Sequence, residues 1–327
     1  MRRREFITLL GGATAAGPVV ARAQTRTLPT VGFLYAGSAM TLTPIVARYR
    51  EGLAKAGFVE GQNVSVEYLF ADGKYDRLSE LSAELVRRQV SVIVVPNSTP
   101  AALAAQRATS TIPIVFSLGV DPTKLGLVKT LGHPGGNATG VNFFVTELGS
   151  KLLGLLRDLN PGTSRVGLLI NPDNETAAPF AEEVKAAARL LALQIDVVGA
   201  RNAQDIDHAF STLSRVKADG LIVFPDQMFF SRREQITKLA SQQRLIATYS
   251  VRDFAEAGGL MSYGTDQIEV SRLVGEYIAR ILKSERPANL PVAQSTKFEL
   301  VINLKTAKTL GLTIPPMLLA RADEVIE

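Results

Sequence analysis

The sequence contains no cysteine. Disulfides, thiolate metal sites and cysteine nucleophiles are therefore excluded, while the redox compartment stays open. Histidine is nearly absent as well, with only 2 in 327 residues. His133 lies beside a Gly-Pro-rich turn and His208 on a predicted helix, and neither has a metal-ligating neighbour four residues on. No P-loop, G-x-S-x-G elbow or dinucleotide fingerprint is present. The glycines of the segment Gly12–Gly17 do not follow a strand. Catalysis has little to build on here, and neither a metal nor a cofactor is expected. Excess charge is scarce too. The formal net charge is +5, but Arg2, Arg3, Arg4, Arg22 and Glu5 supply +3 of it, leaving +2 for the rest. Without a basic stripe, nucleic acid is not an expected partner.

Apolar runs long enough to span a membrane are also missing, since a spanning helix needs about 20 such residues. The nearest approach, Phe6–Val20, is interrupted by glycines and a proline. It follows Arg2–Arg4 and precedes Ala21-Arg22-Ala23, the order of an export signal cleaved between Ala23 and Gln24. Arg3-Arg4-Glu5-Phe6-Ile7 resembles the twin-arginine pattern of the bacterial export route. The expectation is a signal peptide over residues 1–23 and a mature protein free in the periplasm. With no cysteine after the signal, it is not expected to be a lipoprotein.

What the chain does contain is a repeat. Val31-Gly32-Phe33-Leu34 returns as Val166-Gly167-Leu168-Leu169, Ser91–Pro96 as Gly220–Pro225, and Pro113–Asp121 as Leu245–Asp253. The helical pattern Ser150–Leu159 is answered by Ser271–Leu282. Self-similarity over so long a period signals two copies of a domain, not a solenoid. Within each copy, apolar runs such as Val90–Val95 alternate with helical patterns such as Ile206, Phe210, Leu213 and Val216. Such alternation predicts a parallel sheet covered on both faces by right-handed crossover helices. The predicted fold class is thus α/β, with two doubly wound parallel-sheet lobes joined by a multi-strand hinge. Lobe 1 is expected over residues 28–146 plus about 265–290, and lobe 2 over 147–264 plus about 291–327.

Sheets of this kind bind ligands beyond the carboxyl ends of their strands. In the first half those positions are Ser38, Asn97, Ser98, Thr99, Ser117, Asp121 and Asn142. In the second they are Asn171, Asp173, Asp226, Tyr249 and Tyr263. Hydroxyls, amides and a few carboxylates suit a small polar or zwitterionic ligand held from two sides. Ser98 and Thr99 open a helix, with Thr99 the expected N-cap and Pro100 the first helical residue, so free N–H groups favour a carboxylate there. Asp226 either pairs with an ammonium group or simply turns the chain. Tyr263 and Phe229 either stack on the ligand or pack in the core.

Longer motifs lie in both halves. GFVEGQN at Gly57–Asn63, TIPIVF at Thr111–Phe116, and Asp121-Pro122 with Leu125–Val128 occur in the first. PGGNATGV at Pro134–Val141, GGLMSYG at Gly258–Gly264 and VINLKTAKTLGLTIPP at Val301–Pro316 continue the series. Together they resemble the ABC-transporter substrate-binding family of type I periplasmic binding proteins, in the branch that includes tryptophan/tyrosine-type receptors. The resemblance implies a venus-flytrap receptor that passes a small-molecule ligand to the membrane permease of an importer; a monomer is expected. It also implies that the loop matching Asn97–Thr99 takes an amino acid's carboxylate and that the aspartate matching Asp226 takes its amine. Asn171–Asn174 reads NPDN where some members have serines. The alternative is a two-lobed enzyme, for which Asp121 and Asp226 are the acid–base pair to nominate. A transcription-regulator sensor would need a helix-turn-helix where the export signal stands.

Overall fold

The computed structural model describes residues 28–143 and 148–327. The predicted signal with Ala23 and Gln24, and the expected boundary at 146–147, lie outside those residues. The first half runs β1 (Thr30–Tyr35), α1 (Ala39–Lys55), β2 (Ser65–Phe70), α2 (Leu78–Arg87), β3 (Val92–Val95), α3 (Thr99–Ala108), β4 (Ile114–Leu118) and β5 (Ala138–Asn142). The second opens with α4 (Leu148–Leu159), β6 (Arg165–Ile170), α5 (Ala177–Leu190), β7 (Gln194–Gly199), α6 (Ala203–Arg215) and β8 (Gly220–Val223). It goes on through α7 (Gln227–Ser231), α8 (Arg233–Gln242), β9 (Ile246–Tyr249), α9 (Arg252–Glu256) and β10 (Met261–Thr265). The tail comprises α10 (Gln267–Leu282), β11 (Ala293–Gln294), β12 (Phe298–Asn303), α11 (Leu304–Leu310), α12 (Pro316–Leu319) and β13 (Glu324–Ile326).

These strands form two sheets, ordered β11-β5-β4-β3-β1-β2 and β13-β12-β10-β9-β8-β6-β7. The order of β1 to β5 in one is that of β6 to β10 in the other, which is the internal repeat made spatial. Each sheet is buried on both faces because successive strand residues point to opposite sides. Phe33, Tyr35, Val92 and Val94 share a core with Tyr49 and Leu53 of α1 and with Val270 and Val274 of α10. Leu34, Ile93 and Val95 share theirs with Leu78 and Leu85 of α2 and with Ala101 and Ala105 of α3. In the second sheet, Gly220 lies against Leu156 of α4, whereas Gly167 lies against Leu213 of α6.

Three connections pass between the sheets: from β5 to α4, from β10 to α10, and from β11 to β12. β11 still pairs with β5, so the last return falls between Gln294 and Phe298, a few residues beyond the division expected near 290. The second sheet is not wholly parallel, because β12 runs antiparallel to β10. The reason is positional: β10 leaves the sheet at the edge facing the first lobe, and β12 enters at that edge, so the two run opposite ways. α1 begins at Ala39, after the Ser38 N-cap. Among the described residues, no helix is long and apolar enough to cross a membrane.

Candidate ligand-binding cleft

The carboxyl ends of the two sheets face each other across a cavity of about 550 Å³. Its middle is apolar, lined by Leu118 at the end of β4 and Val120 beyond it, Phe143 after β5, Phe224 after β8, and Val251 after β9. It extends towards the helical layers on either side. On the α1–α10 side it meets Arg48, Gln267 and Ser271 of the first lobe and Phe230, Asp253 and Phe254 of the second. On the α3 side it meets Ser98, Thr99, Lys124 and Leu125, opposed by Glu175, Pro179, Phe180 and Glu183. Every charged group on the first-lobe wall, Arg48 and Lys124, is cationic; Glu175, Glu183, Asp226 and Asp253 on the second-lobe wall are all anionic.

Asp226 is the best-connected polar group of the cleft. It caps α7, its Oδ1 accepting from the Met228 N–H at 2.9 Å and from Asn171 Nδ2 at 3.2 Å. Its Oδ2 accepts from Asn174 Nδ2 at 2.9 Å and from the Tyr75 hydroxyl at 2.8 Å. Burial raises its carboxyl above the ordinary range, against the opposing pull of those donors. Burial and the neighbouring Asp226 likewise push the Tyr75 phenol well up. Tyr75 belongs to the first lobe, so its bond to Asp226 spans the cleft.

Gln227 makes a second span. The Tyr35 hydroxyl donates to its Oε1 at 2.8 Å, and its Nε2 donates to the Asn97 carbonyl at 3.1 Å. Asn97 holds that carbonyl in place from a left-handed backbone, φ 48°, a conformation asparagine tolerates better than most residues. Its Nδ2 donates to Gln267 Oε1 at 2.9 Å, and Ser117 Oγ donates to its Oδ1 at 2.7 Å. Gln227→Ala is expected to widen the ligand-free molecule, seen as a larger radius of gyration in solution scattering. An unchanged radius would show that these bonds do not hold the lobes together.

At α3 the N-cap is Ser98 and not Thr99: Ser98 has the extended backbone of a cap, and its Oγ accepts the Ala101 N–H at 3.3 Å. Thr99 is then the first helical residue and Pro100 the second, without an N–H. Among the described residues, no acceptor takes the Thr99 N–H. A helix start leaves such donors for caps, water or ligand.

Of the residues read from the sequence, Asn97, Ser98, Thr99 and Asp226 line the cavity. Ser117 and Asn171 stand behind them, bonded to Asn97 and Asp226. Ser38 sits at the N-cap of α1, off the lining. Asn142 is buried and donates to the Val120 carbonyl at 2.6 Å. Asp121 folds onto Thr123, accepting from its N–H and hydroxyl, and does not reach the cavity. Tyr263 stacks on Phe298 with ring centroids 5.6 Å apart, also off the lining. Phe229 is fully buried, and it is the next residue, Phe230, that faces the cleft. Sequence reasoning missed Arg48, Tyr75, Gln227 and Asp253. Tyr75 and Gln227 follow β2 and β8, so the strand-end rule carried a few residues further reaches both; Arg48, midway along α1, leaves no such signal.

Comparison with known proteins accords with this geometry. A family model described as "ABC transporter substrate binding protein" matches residues 38–326. A "Tyrosine-binding protein" of Clostridioides difficile is 25% identical over 273 residues, covering 82% of this chain and 78% of that one. A crystal structure of an "ABC domain in complex with L-Trp" from Streptococcus pneumoniae superposes with TM-score 0.83 at 27% identity, covering 92% of this chain and 100% of that one. A "conserved domain protein" from Vibrio cholerae gives TM-score 0.84 at 28% identity, covering 91% and 99%.

Proposed function

The chain belongs to the ABC transporter substrate binding protein family, and from that premise we propose that it captures an amino acid with an aromatic side chain between its lobes. The observation that carries this reading is the cavity itself: an apolar middle flanked by an unpartnered helix-start N–H at Thr99 and by the carboxylate of Asp226. The ligand carboxylate lies at Ser98 and Thr99, where backbone donors and the helix macrodipole favour an anion. The ammonium lies towards Asp226. The cationic first-lobe wall and the anionic second-lobe wall orient the zwitterion the same way. The aromatic ring fills the space among Phe143, Phe224, Phe230 and Phe254. The tryptophan complex of the pneumococcal relative and the name of the clostridial one support this choice of ligand.

Capture proceeds by hinge closure, since a ligand touching both walls favours the state in which both are near. A preference of about 10⁴-fold for the closed state reverses a 1:99 open bias. The predicted export signal supports delivery to the periplasm, where the closed receptor meets the permease of an importer. An enzyme reading finds no support: the family is one of binding proteins, and Asp121, the partner such a reading needs for Asp226, is off the cavity.

Calorimetric titration with L-tryptophan and L-tyrosine, and with analogues lacking the amine or the carboxylate, tests the proposal. Saturable binding of an amino acid is expected. Each analogue should bind at least ~10-fold more weakly, the scale of a lost charge-assisted hydrogen bond. Absence of binding by both amino acids, or equal binding of the analogues, would overturn it.

A further inference from the structure

The amino-acid head group accounts for one end of the cavity and leaves two opposite charges at the other. Arg48, on α1 of the first lobe, and Asp253, on α9 of the second, both line it. Among the described residues, neither forms a salt bridge, and the Asp253 carboxylate is bonded only by a backbone N–H, its own. Asp253 is half-buried, and burial raises its carboxyl; Glu256 adds to this, while Arg233 and Arg48 act against it from a distance. The guanidinium of Arg233 is engaged elsewhere, over the Phe230 ring at 5.1 Å and on the Phe230 carbonyl at 3.2 Å. Arg48 and Asp253 thus line one cavity within reach of each other's charge, without forming an ion pair. A buried charge left without a partner is costly, and a polar group placed between the two relieves both. Phe230 and Phe254 flank the same end, so the space between the charges continues the apolar slot that takes the ring.

We infer that Arg48 and Asp253 form a second recognition pole, reading a hydrogen-bonding group at the far edge of the ligand's aromatic ring. A phenol hydroxyl answers both at once, donating to the Asp253 carboxylate and accepting from the Arg48 guanidinium. An indole N–H answers Asp253 alone. A bare phenyl ring answers neither and covers two half-buried charges without bonding to them. The pole therefore ranks tyrosine above tryptophan and tryptophan above phenylalanine. A site built to bond a hydroxyl discriminates strongly against the analogue without it, whereas a purely apolar slot does not.

This inference rests on the cleft being an amino-acid site, and the test separates the two. L-tyrosine, L-tryptophan and L-phenylalanine are titrated calorimetrically into the wild-type chain and into Asp253→Asn and Arg48→Met, with thermal melting to confirm that each variant is folded. The wild type is expected to prefer tyrosine to phenylalanine by ~10-fold or more. In either variant that ratio should fall to within ~3-fold. A wild type that binds these ligands without discrimination would overturn the second pole and leave the parent reading intact. So would variants that weaken tyrosine and phenylalanine equally, since the pair would then serve the head group. A wild type that binds none of the three would overturn both.

Discussion

Asp226→Ala is expected to weaken ligand binding by about 10²-fold or more, corresponding to the 2–5 kcal/mol of a buried charge contact. The expectation comes from what surrounds the carboxylate. Asn171, Asn174, Tyr75 and the Met228 N–H all donate to it, and the residue is only 8% exposed. Removing the acceptor leaves those donors facing a void, at about 1–3 kcal/mol for each group that finds no water. The loss divides between two processes. Asn171 and Asn174 belong to the second lobe, so their share lowers the stability of that lobe. Tyr75 belongs to the first, so its share weakens closure, and the missing negative charge removes the partner of the ammonium. Asp226→Asn keeps the shape but turns an amide N–H₂ towards two groups that donated to the carboxylate, and an intermediate loss is expected. Calorimetry with L-tryptophan and L-tyrosine measures the effect. A dissociation constant within threefold of the wild type would place the ammonium elsewhere.

The second large effect concerns the backbone at the hinge. Gly264 lies on β10, one residue before that strand ends. A Cβ there would stand 1.8 Å from the Ser250 carbonyl oxygen and 2.8 Å from its carbon. Neither side yields easily. β10 is paired on both edges, with β9 and β12, and Ser250 begins the segment whose Val251 and Asp253 line the cavity. Gly264→Ala is therefore expected to destabilise the fold by about 3 kcal/mol or more. At about 2–4 °C per kcal/mol for a domain of this size, Tm falls by roughly 6–12 °C. Ligand affinity should fall with it, because relief of the clash displaces the wall carrying Val251. Gly154→Ala is the control. Gly154 sits inside α4 with nothing within 4 Å of an added Cβ, so a neutral effect or a gain of up to about 1 kcal/mol is expected. Equal melting temperatures for Gly264→Ala and the wild type would show that the sheet edge absorbs the methyl group.

Much of this architecture is legible in residue pattern. Runs such as Val92–Val95, short and β-branched, read as central strands, and the recurrence of one half in the other points to a common strand order. The strand-end rule reached four residues of the cavity lining, Asn97, Ser98, Thr99 and Asp226, because a parallel sheet delivers every strand end to one edge. It failed for Tyr263 and Asp121, since it says which residues reach the edge and not which way they turn once there. Tyr263 is drawn to Phe298 across the β10–β12 pair, a contact that depends on the antiparallel entry of β12. Alternation along a strand carries no direction, so that entry was hidden. Phe229 and Phe230 differ by one step of a short helix, about 100° of rotation, which decides between core and cleft. Arg48 and Asp253 come from helices more than 200 residues apart in sequence, and only the folded chain brings them opposite each other.

The three passages of the chain between the sheets bear on how the protein is made. α1 packs on α10, with the Cα of Gly275 only 2.9 Å from a Cβ placed on Gly52, and β5 waits for β11 to cover its edge. A ribosome that has released residues 28–143 has thus produced a sheet with one helix and one edge strand still unsynthesised. Neither sheet is completed by one contiguous segment, since β11 joins the first and β12 and β13 join the second only at the end of the chain. Native pairing of such distant stretches is slow, and until Leu282 has been made the face of the first sheet that α10 covers stays open.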